Sequence, residues 1–392
     1  MCAYTGCAVN SVIQSAHHTM PSTVATTLVD GVALIRIDNP PVNALSPEVI
    51  AGLSSSVDEA ERDQEVRALV IICAGRTFIA GADIKGLEQF AWGDDAAAPD
   101  MHDLLKRIED CSKPVVMAIH GTALGGGLEV AMAGHYRVAV ADAQMGQPEV
   151  NLGIIPGAEG TQRLPRLVGV EKAIDMCVSG KSVKAPDALQ TGLIDRIVES
   201  DLEAGAVTFA RDCMRREGPH PKTRDRRAKL PAPESLDTLL ASGREAARKM
   251  RRNMEASLAA LDAIEAAVTL GFDEGCRRER EIFFRCARSE ACKALIHSFF
   301  AERGVSRVPG IAKAGIRDHG SGTRDADAIA SVAIVGAGTM GGGIAMACAN
   351  AGITVLLTDA DQAGLDKGLA TIRRNYEISV QRGRLTREAV EQ

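Results

Sequence analysis

Short apolar runs alternate with stretches of helical period along the first half of the chain. Val32 to Ile37 (VALIRI) reads as a strand, residues 38–43 as a turn, residues 47–60 as a helix and Ala68 to Cys73 as a buried strand. A further apolar run, Val115 to Ile119, reads as another buried strand. It is followed by three glycines, Gly125, Gly126 and Gly127, which open an alanine-rich apolar helix over residues 128–133. Beyond Glu199 the pattern changes. Residues 215–229 are basic and proline-bearing, the composition of an exposed connector. Residues 233–297 carry helical Ala/Leu periodicity and are expected to pack on the preceding core, with the charged run Arg277 to Glu281 as a solvated face. A second strand–helix–strand pattern follows: Ser331 to Val335, residues 342–351 and Thr354 to Thr358.

At 392 residues the chain is long enough for two or three domains, and 46% apolar with 24% charged residues is ordinary globular composition. A net charge of −6 argues against nucleic acid as a principal partner, and no apolar run reaches the length of a membrane span. The ten cysteines form no CxxC pair. Cys73, Cys177 and Cys348 lie in apolar surroundings and read as core residues in a reducing compartment. Residues 1–22 lack the basic and apolar regions of a signal peptide; they read as a disordered tail, with His17 and His18 untethered and Met20 as a conceivable initiator.

The candidate chemistry lies between residues 117 and 164. Glycines let the backbone bring its own N–H groups close to a ligand, and a helix N-terminus favours negative charge there. Glu129 stands in the apolar helix. Glu149 follows Pro148, a residue that favours the first position of a helix. Taken singly, each has an ordinary reading: a glutamate in a first turn is a dipole partner or half of a capping box, and three glycines are a flexible turn. Together, GGGLE, GQPEVNLG and IPGAEGTQRLPR in this order closely resemble the enoyl-CoA hydratase (crotonase) family, a resemblance running from about Val32 to Val198. It implies a crotonase-like α/β spiral of ββα units rather than a Rossmann sheet, GxGxxG being absent here. It also implies backbone N–H donors to a thioester oxygen at Ala82, within AGADIK, and at Gly126. Ala80 would line the substrate site, and Lys85 would lie near the nucleotide end of coenzyme A or else be solvated. Glu129 and Glu149 would be the catalytic pair, Glu129 activating water and Glu149 delivering a proton to Cα. The substrate implied is an acyl-CoA thioester. An enoyl-CoA isomerase, which needs one carboxylate, and an inactive acyl-CoA-binding fragment are the alternatives.

The glycines of a GxGxxG motif are Gly336, Gly338 and Gly341, with a strand before, a helix after, and Asp359 at the end of the next strand, 18 positions past the last glycine. That spacing suits the adenine ribose of a dinucleotide, and the acid favours NAD over NADP. The segment resembles the NAD-binding half of 3-hydroxyacyl-CoA dehydrogenases, which implies cofactor contacts at Gly336, Gly338, Thr339, Met340, Gly341 and Asp359. The combination resembles the multifunctional β-oxidation enzymes. The expected layout is a tail at 1–22, a crotonase core at 23–200, a helical region packed on it at 201–298, a linker at 299–328 and a partial Rossmann NAD-binding domain at 329–392. Only two Rossmann strands precede the last residue, so the sequence reads as truncated within that domain. The chain is accordingly expected to hydrate enoyl-CoA without oxidising 3-hydroxyacyl-CoA or binding NAD tightly. The full-length parent is expected to be a monomer, peroxisomal in a eukaryote and cytoplasmic in a bacterium.

Overall fold

A β-strand without a polar face is stable only where both sides of its sheet are covered. Three such strands form the centre of the protein: β2 (Val32–Ile37), β3 (Ala68–Cys73) and β4 (Val115–Ile119), the last two buried at every residue. With β1 (Val24–Val29), β6 (Tyr136–Val140) and β9 (Arg196–Val198) they make a six-stranded sheet ordered β1-β2-β3-β4-β6-β9. All pairings are parallel except the β1–β2 hairpin, whose turn residues Asp30 and Gly31 both have positive φ (51° and 79°). Parallel strands need crossovers. Helix α1 (Pro47–Arg62) connects β2 to β3, its first turn capped by the Ser46 hydroxyl. Helices α2 (Ile84–Ala91) and α3 (His102–Asp110) connect β3 to β4.

Three short strands leave this sheet and build a second one: β5 (Thr122–Leu124), β7 (Gln144–Gly146) and β8 (Ser182–Lys184), in the order β5-β7-β8. Alternation between two sheets is the expected spiral. Helix α4 (Gly126–Ala133) follows β5, buried at every residue, and starts two residues before the apolar run that announces it. At Glu149 the chain makes only a 3-10 turn, Glu149–Leu152, because Gly153 at φ 74° ends it. Helices α5 (Gly160–Val168), α6 (Val170–Ser179), α7 (Ala185–Thr191) and α8 (Leu202–Cys213) complete this part.

Four more helices follow: α9 (Pro233–Met250), α10 (Glu255–Thr269), α11 (Phe272–Ala287) and α12 (Glu290–Val305). Helix α10 packs on α5, α6 and α9, as the Ala/Leu periodicity predicts. Three expectations are corrected here. The basic stretch at 215–229 is more than an exposed connector: Thr223 is buried and donates to Met132 O at 2.8 Å, while Lys222 and Arg224 both pair with Asp110. Arg224 also pairs with buried Glu109, and Lys229 donates to the Leu167 and Thr191 carbonyls. In the run Arg277 to Glu281, Glu279 is fully buried rather than solvated. Helix α12 continues to Val305, past Phe299 where a linker was expected, because Cys292 and Ile296 anchor its apolar side.

The structure describes residues 23–95, 100–216, 218–250, 254–305, 329–382 and 385–391, which form two compact units, 23–305 and 329–391. The tail with His17, His18 and Met20, and the linker beyond residue 305, lie outside the described residues. The second unit is a parallel pair, β10 (Ser331–Val335) and β11 (Thr354–Thr358), with α13 (Thr339–Asn350), α14 (Gln362–Gln381) and α15 (Arg387–Glu391). Both strands alternate exposed and half-buried residues. Cys73 and Cys177 are buried as expected, whereas Cys348 on α13 is only half-buried, since two strands give that helix little sheet to cover it.

Close packing fixes one residue of the glycine triplet outright. A Cβ at Gly127 would stand 2.1 Å from the Ile79 carbonyl oxygen, a backbone atom unable to yield. Gly127→Ala is expected to destabilise the first unit by at least the roughly 1–3 kcal/mol typical of overpacking. At Gly86 in α2 an added Cβ meets nothing within 4 Å. Gly86→Ala should therefore gain about 0.5–1 kcal/mol. Urea unfolding followed by circular dichroism checks the pair, and equal midpoints for the two variants would contradict this packing.

Candidate active site

Two amide donors come first. After the buried pair Phe78 and Ile79 the chain turns at Gly81, φ 114°, into α2. Leu45 N donates to Gly81 O at 3.0 Å and Leu45 bridges Ala82, which fixes the 80–82 segment on one side. Among the described residues the Ala82 N–H has no protein acceptor. The Gly126 N–H is the first of α4, so the helix itself cannot satisfy it. A Cβ placed on Gly126 would be 3.6 Å from Ala82 N, so the two donors are neighbours. Gly125, at φ 53°, makes the turn that presents them, and it also makes room for Glu149: a Cβ there would stand 2.7 Å from Glu149 Oε1.

The two carboxylates share one cavity of about 480 Å³ with Ala80, Ala82 and Gly126. Glu129 is buried, and its Oε1 accepts from Ala158 N at 2.9 Å and Gly160 N at 3.0 Å. It is thus bound to the loop before α5, and the capping reading is set aside. Burial raises its pKa to about 7 against the opposing pull of those two amides. Glu149 is half-buried at the start of its 3-10 turn. The Gln147 side-chain amide, with its nitrogen turned to the carboxylate, donates to Glu149 Oε1 at 2.9 Å and Oε2 at 3.1 Å. Burial first, and then the charge of Glu129, hold Glu149 well above the usual carboxylate range. Both carboxyls thus bind a proton more tightly than a free glutamate does.

Behind Glu129 lies a layer of charge that sequence reasoning missed. Glu159 sits at φ 67° and directs its backbone N–H to Glu279 Oε1 at 2.6 Å, while its side chain accepts from buried Arg163. Arg163 also donates to buried Glu109 at 2.6 Å, and His102 Nδ1 lies 3.2 Å from Glu159 Oε1. That contact with Glu159 raises the His102 pKa. Glu279 was legible in principle, for it falls on the buried stripe Gly275, Glu279, Ile282, Phe283 and Cys286 of α11. Lys85, by contrast, is exposed and is absent from the cavity lining; its N–H is capped by Asp83 Oδ1 at 3.0 Å.

In the second unit the glycine loop has the spacing demands of a dinucleotide cradle. Gly336 has φ 100°, and a Cβ at Gly341 would fall 1.7 Å from Gly336 O, so both must stay glycine. A Cβ at Gly338 would meet only open space, leaving the N-terminus of α13 at Thr339 and Met340 approachable. Asp359 follows β11 directly and accepts from Ala337 N at 2.6 Å. Among the described residues no group of His, Cys, Asp and Glu could hold a metal ion, and no helix is long and apolar enough to cross a membrane.

Comparison with known proteins agrees with this division. Residues 331–392 match the 3-hydroxyacyl-CoA dehydrogenase NAD-binding domain. A peroxisomal fatty acid beta-oxidation multifunctional protein of Arabidopsis thaliana is 38% identical over 363 residues, covering 92% of this chain and 49% of that protein. The peroxisomal bifunctional enzyme of Cavia porcellus is 38% identical over 356 residues, 90% of this chain and 47% of that protein. The chain thus spans about half the length of the curated relatives it matches. A solved enoyl-CoA hydratase/isomerase from Pseudoalteromonas atlantica aligns with TM-score 0.51 and 25% identity, over 74% of this chain and all of that one. Residues 27–224, half of the sequence and the part that carries Glu129, Glu149 and the Ala82 and Gly126 amides, match the enoyl-CoA hydratase/isomerase family, and the chain belongs to it.

Proposed function

We propose that the first unit adds water to 2-trans-enoyl-CoA thioesters, giving 3-hydroxyacyl-CoA. The observation that carries this reading is the meeting of two open amide donors and two carboxylates in one cavity. The thioester oxygen would accept from Ala82 N–H and Gly126 N–H, which oppose the negative charge that grows there as the enolate forms. One such donor is typically worth about 2.7–4 kcal/mol in the transition state. Glu129, ionised and held by two amides, takes a proton from water as its oxygen bonds to Cβ. Glu149, in its protonated form, gives a proton to Cα. The double bond is consumed, no redox step occurs, and proton exchange between the carboxyls restores the starting state. An isomerase needs one carboxylate only, so the presence of both in the cavity supports hydration.

The second unit fits a dinucleotide, and in the whole protein Gly336, Gly338, Gly341 and the start of α13 would hold the NAD pyrophosphate, with Asp359 at the adenine ribose. Bound NAD supplies a hydride acceptor for the 3-hydroxyacyl product. We place the reaction sequence in fatty-acid β-oxidation, in peroxisomes, on the strength of the relatives named above.

Three measurements test the hydratase reading. The purified chain should consume crotonyl-CoA, seen as loss of the conjugated thioester absorbance; a well-folded preparation without turnover would sink the proposal. Glu129→Gln and Glu149→Gln should each lower kcat by about 10²–10⁴-fold, the usual worth of general acid–base help, with little change in acyl-CoA affinity. Near-normal turnover in both would remove the pair from the mechanism. The pH profile of kcat/KM should fall on the acid side below about 7, where Glu129 takes up a proton and can no longer act as a base. A flat profile down to pH 5, two units below that value, would exclude Glu129 from this role.

A further inference from the structure

The four successive amides of residues 158–161 serve two carboxylates in alternation. Ala158 N and Gly160 N donate to Glu129 Oε1 at 2.9 and 3.0 Å; Glu159 N and Thr161 N donate to Glu279 Oε1 and Oε2 at 2.6 and 2.8 Å. The left-handed backbone of Glu159, φ 67°, is what turns neighbouring N–H groups to opposite sides. Glu279 is fully buried, and among the described residues no Lys, Arg or His forms an ion pair with it. Its remaining contact is the Thr161 hydroxyl, which donates to Oε2. Helix α11 grips the same loop a second time, since Gly157 lies so close under Phe283 that a Cβ would stand 2.3 Å from the ring. A buried carboxyl without a cation is expensive to keep. Among the described residues its hydrogen bonds go to the Glu159 and Thr161 amides and the Thr161 hydroxyl, all on the one loop it orders.

We infer that Glu279 is a positioning residue for hydration: by holding the Glu159 and Thr161 amides it sets the loop so that Ala158 and Gly160 clamp one oxygen of Glu129 and leave the other to the cavity. The inference rests on the hydratase reading above. Helix α11 lies beyond residue 224, where the family match ends, so the residue belongs to the helical region and acts on the site from outside the matched segment.

The test uses the complete chain and crotonyl-CoA hydration. Glu279→Gln would set an amide nitrogen against one of the two N–H donors and loosen the loop. The expected result is a fall in kcat of about 10²-fold, the usual cost of misplacing a catalytic group from a distance, with KM changed by no more than about twofold. The acid limb of the pH profile should also move upward, because Glu129 loses the amides that favour its ionised form. Reduced stability with kcat and acid limb unchanged would mean a structural role only and overturn the inference. A downward move of the limb would overturn it as well, marking Glu279 as a like charge. Should Glu279→Gln fail to fold, Thr161→Val leaves both loop amides on Glu279 and removes the hydroxyl bond to it, together with the acceptor of Gln162 Nε2 at 2.8 Å. It should shift kcat and limb in the same directions by less, and a folded Thr161→Val protein with wild-type values refutes the proposal. Absence of hydration by the wild-type chain would instead refute the function itself, before any variant is compared.

Discussion

The constraint on which this structure turns is the cost of keeping carboxyl groups out of water without cations beside them. An unpaired buried carboxylate is stabilised only by hydrogen-bond donors, and the donors here are amides, of the backbone for Glu129 and of a side chain for Glu149. Glu129 depends on two of them and Glu149 on the Gln147 amide. Each requires backbone in an uncommon shape: positive φ at Gly125 and at Glu159, and a 3-10 turn closed by Gly153. The two sheets and the helices that cover them hold those few segments still. Cations are placed one layer back, where Arg163 joins Glu159 to Glu109. That keeps positive charge close enough to order the loop while the cavity carboxylates remain weak acids.

Much of the core could be read from apolar pattern alone. β2, β3 and β4 run over the residues their apolar stretches mark, because a sheet covered on both faces admits no polar alternation to blur the ends. The glycine triplet was legible as a turn, but its three separate reasons were not. Gly125 needs positive φ and clearance for Glu149, Gly126 lies beside Leu45, Met101 and the Ala82 amide, and Gly127 touches the Ile79 carbonyl. Those are contacts between segments distant in sequence, and local pattern carries no record of them.

The misreadings share a cause. The run of charges Arg277 to Glu281 suggests a wet surface, yet helical period puts one of the five on the inner stripe of α11. The composition of residues 215–229 suggests a connector, yet Lys222 and Arg224 pair with Asp110, and Arg224 also with Glu109, on α3. Composition averages over a segment, whereas burial is decided side chain by side chain. Periodicity applied inside the charged run would have found Glu279; nothing short of the fold would have paired it with Glu159.

The grip of α11 on the loop before α5 has a consequence for the order of events as the chain is made. The bonds from Glu159 N and Thr161 N to Glu279 close loops of 120 and 118 residues. Contacts so far apart in sequence form late, after the intervening chain has paid its loss of freedom. A nascent chain that has been synthesised through β9 holds both sheets and every residue of the cavity pair, but two inward-facing amides have no acceptor until α11 leaves the ribosome. The core can therefore be assembled well before the loop that binds Glu129 is set, because the helix that orders this loop is made more than a hundred residues after it.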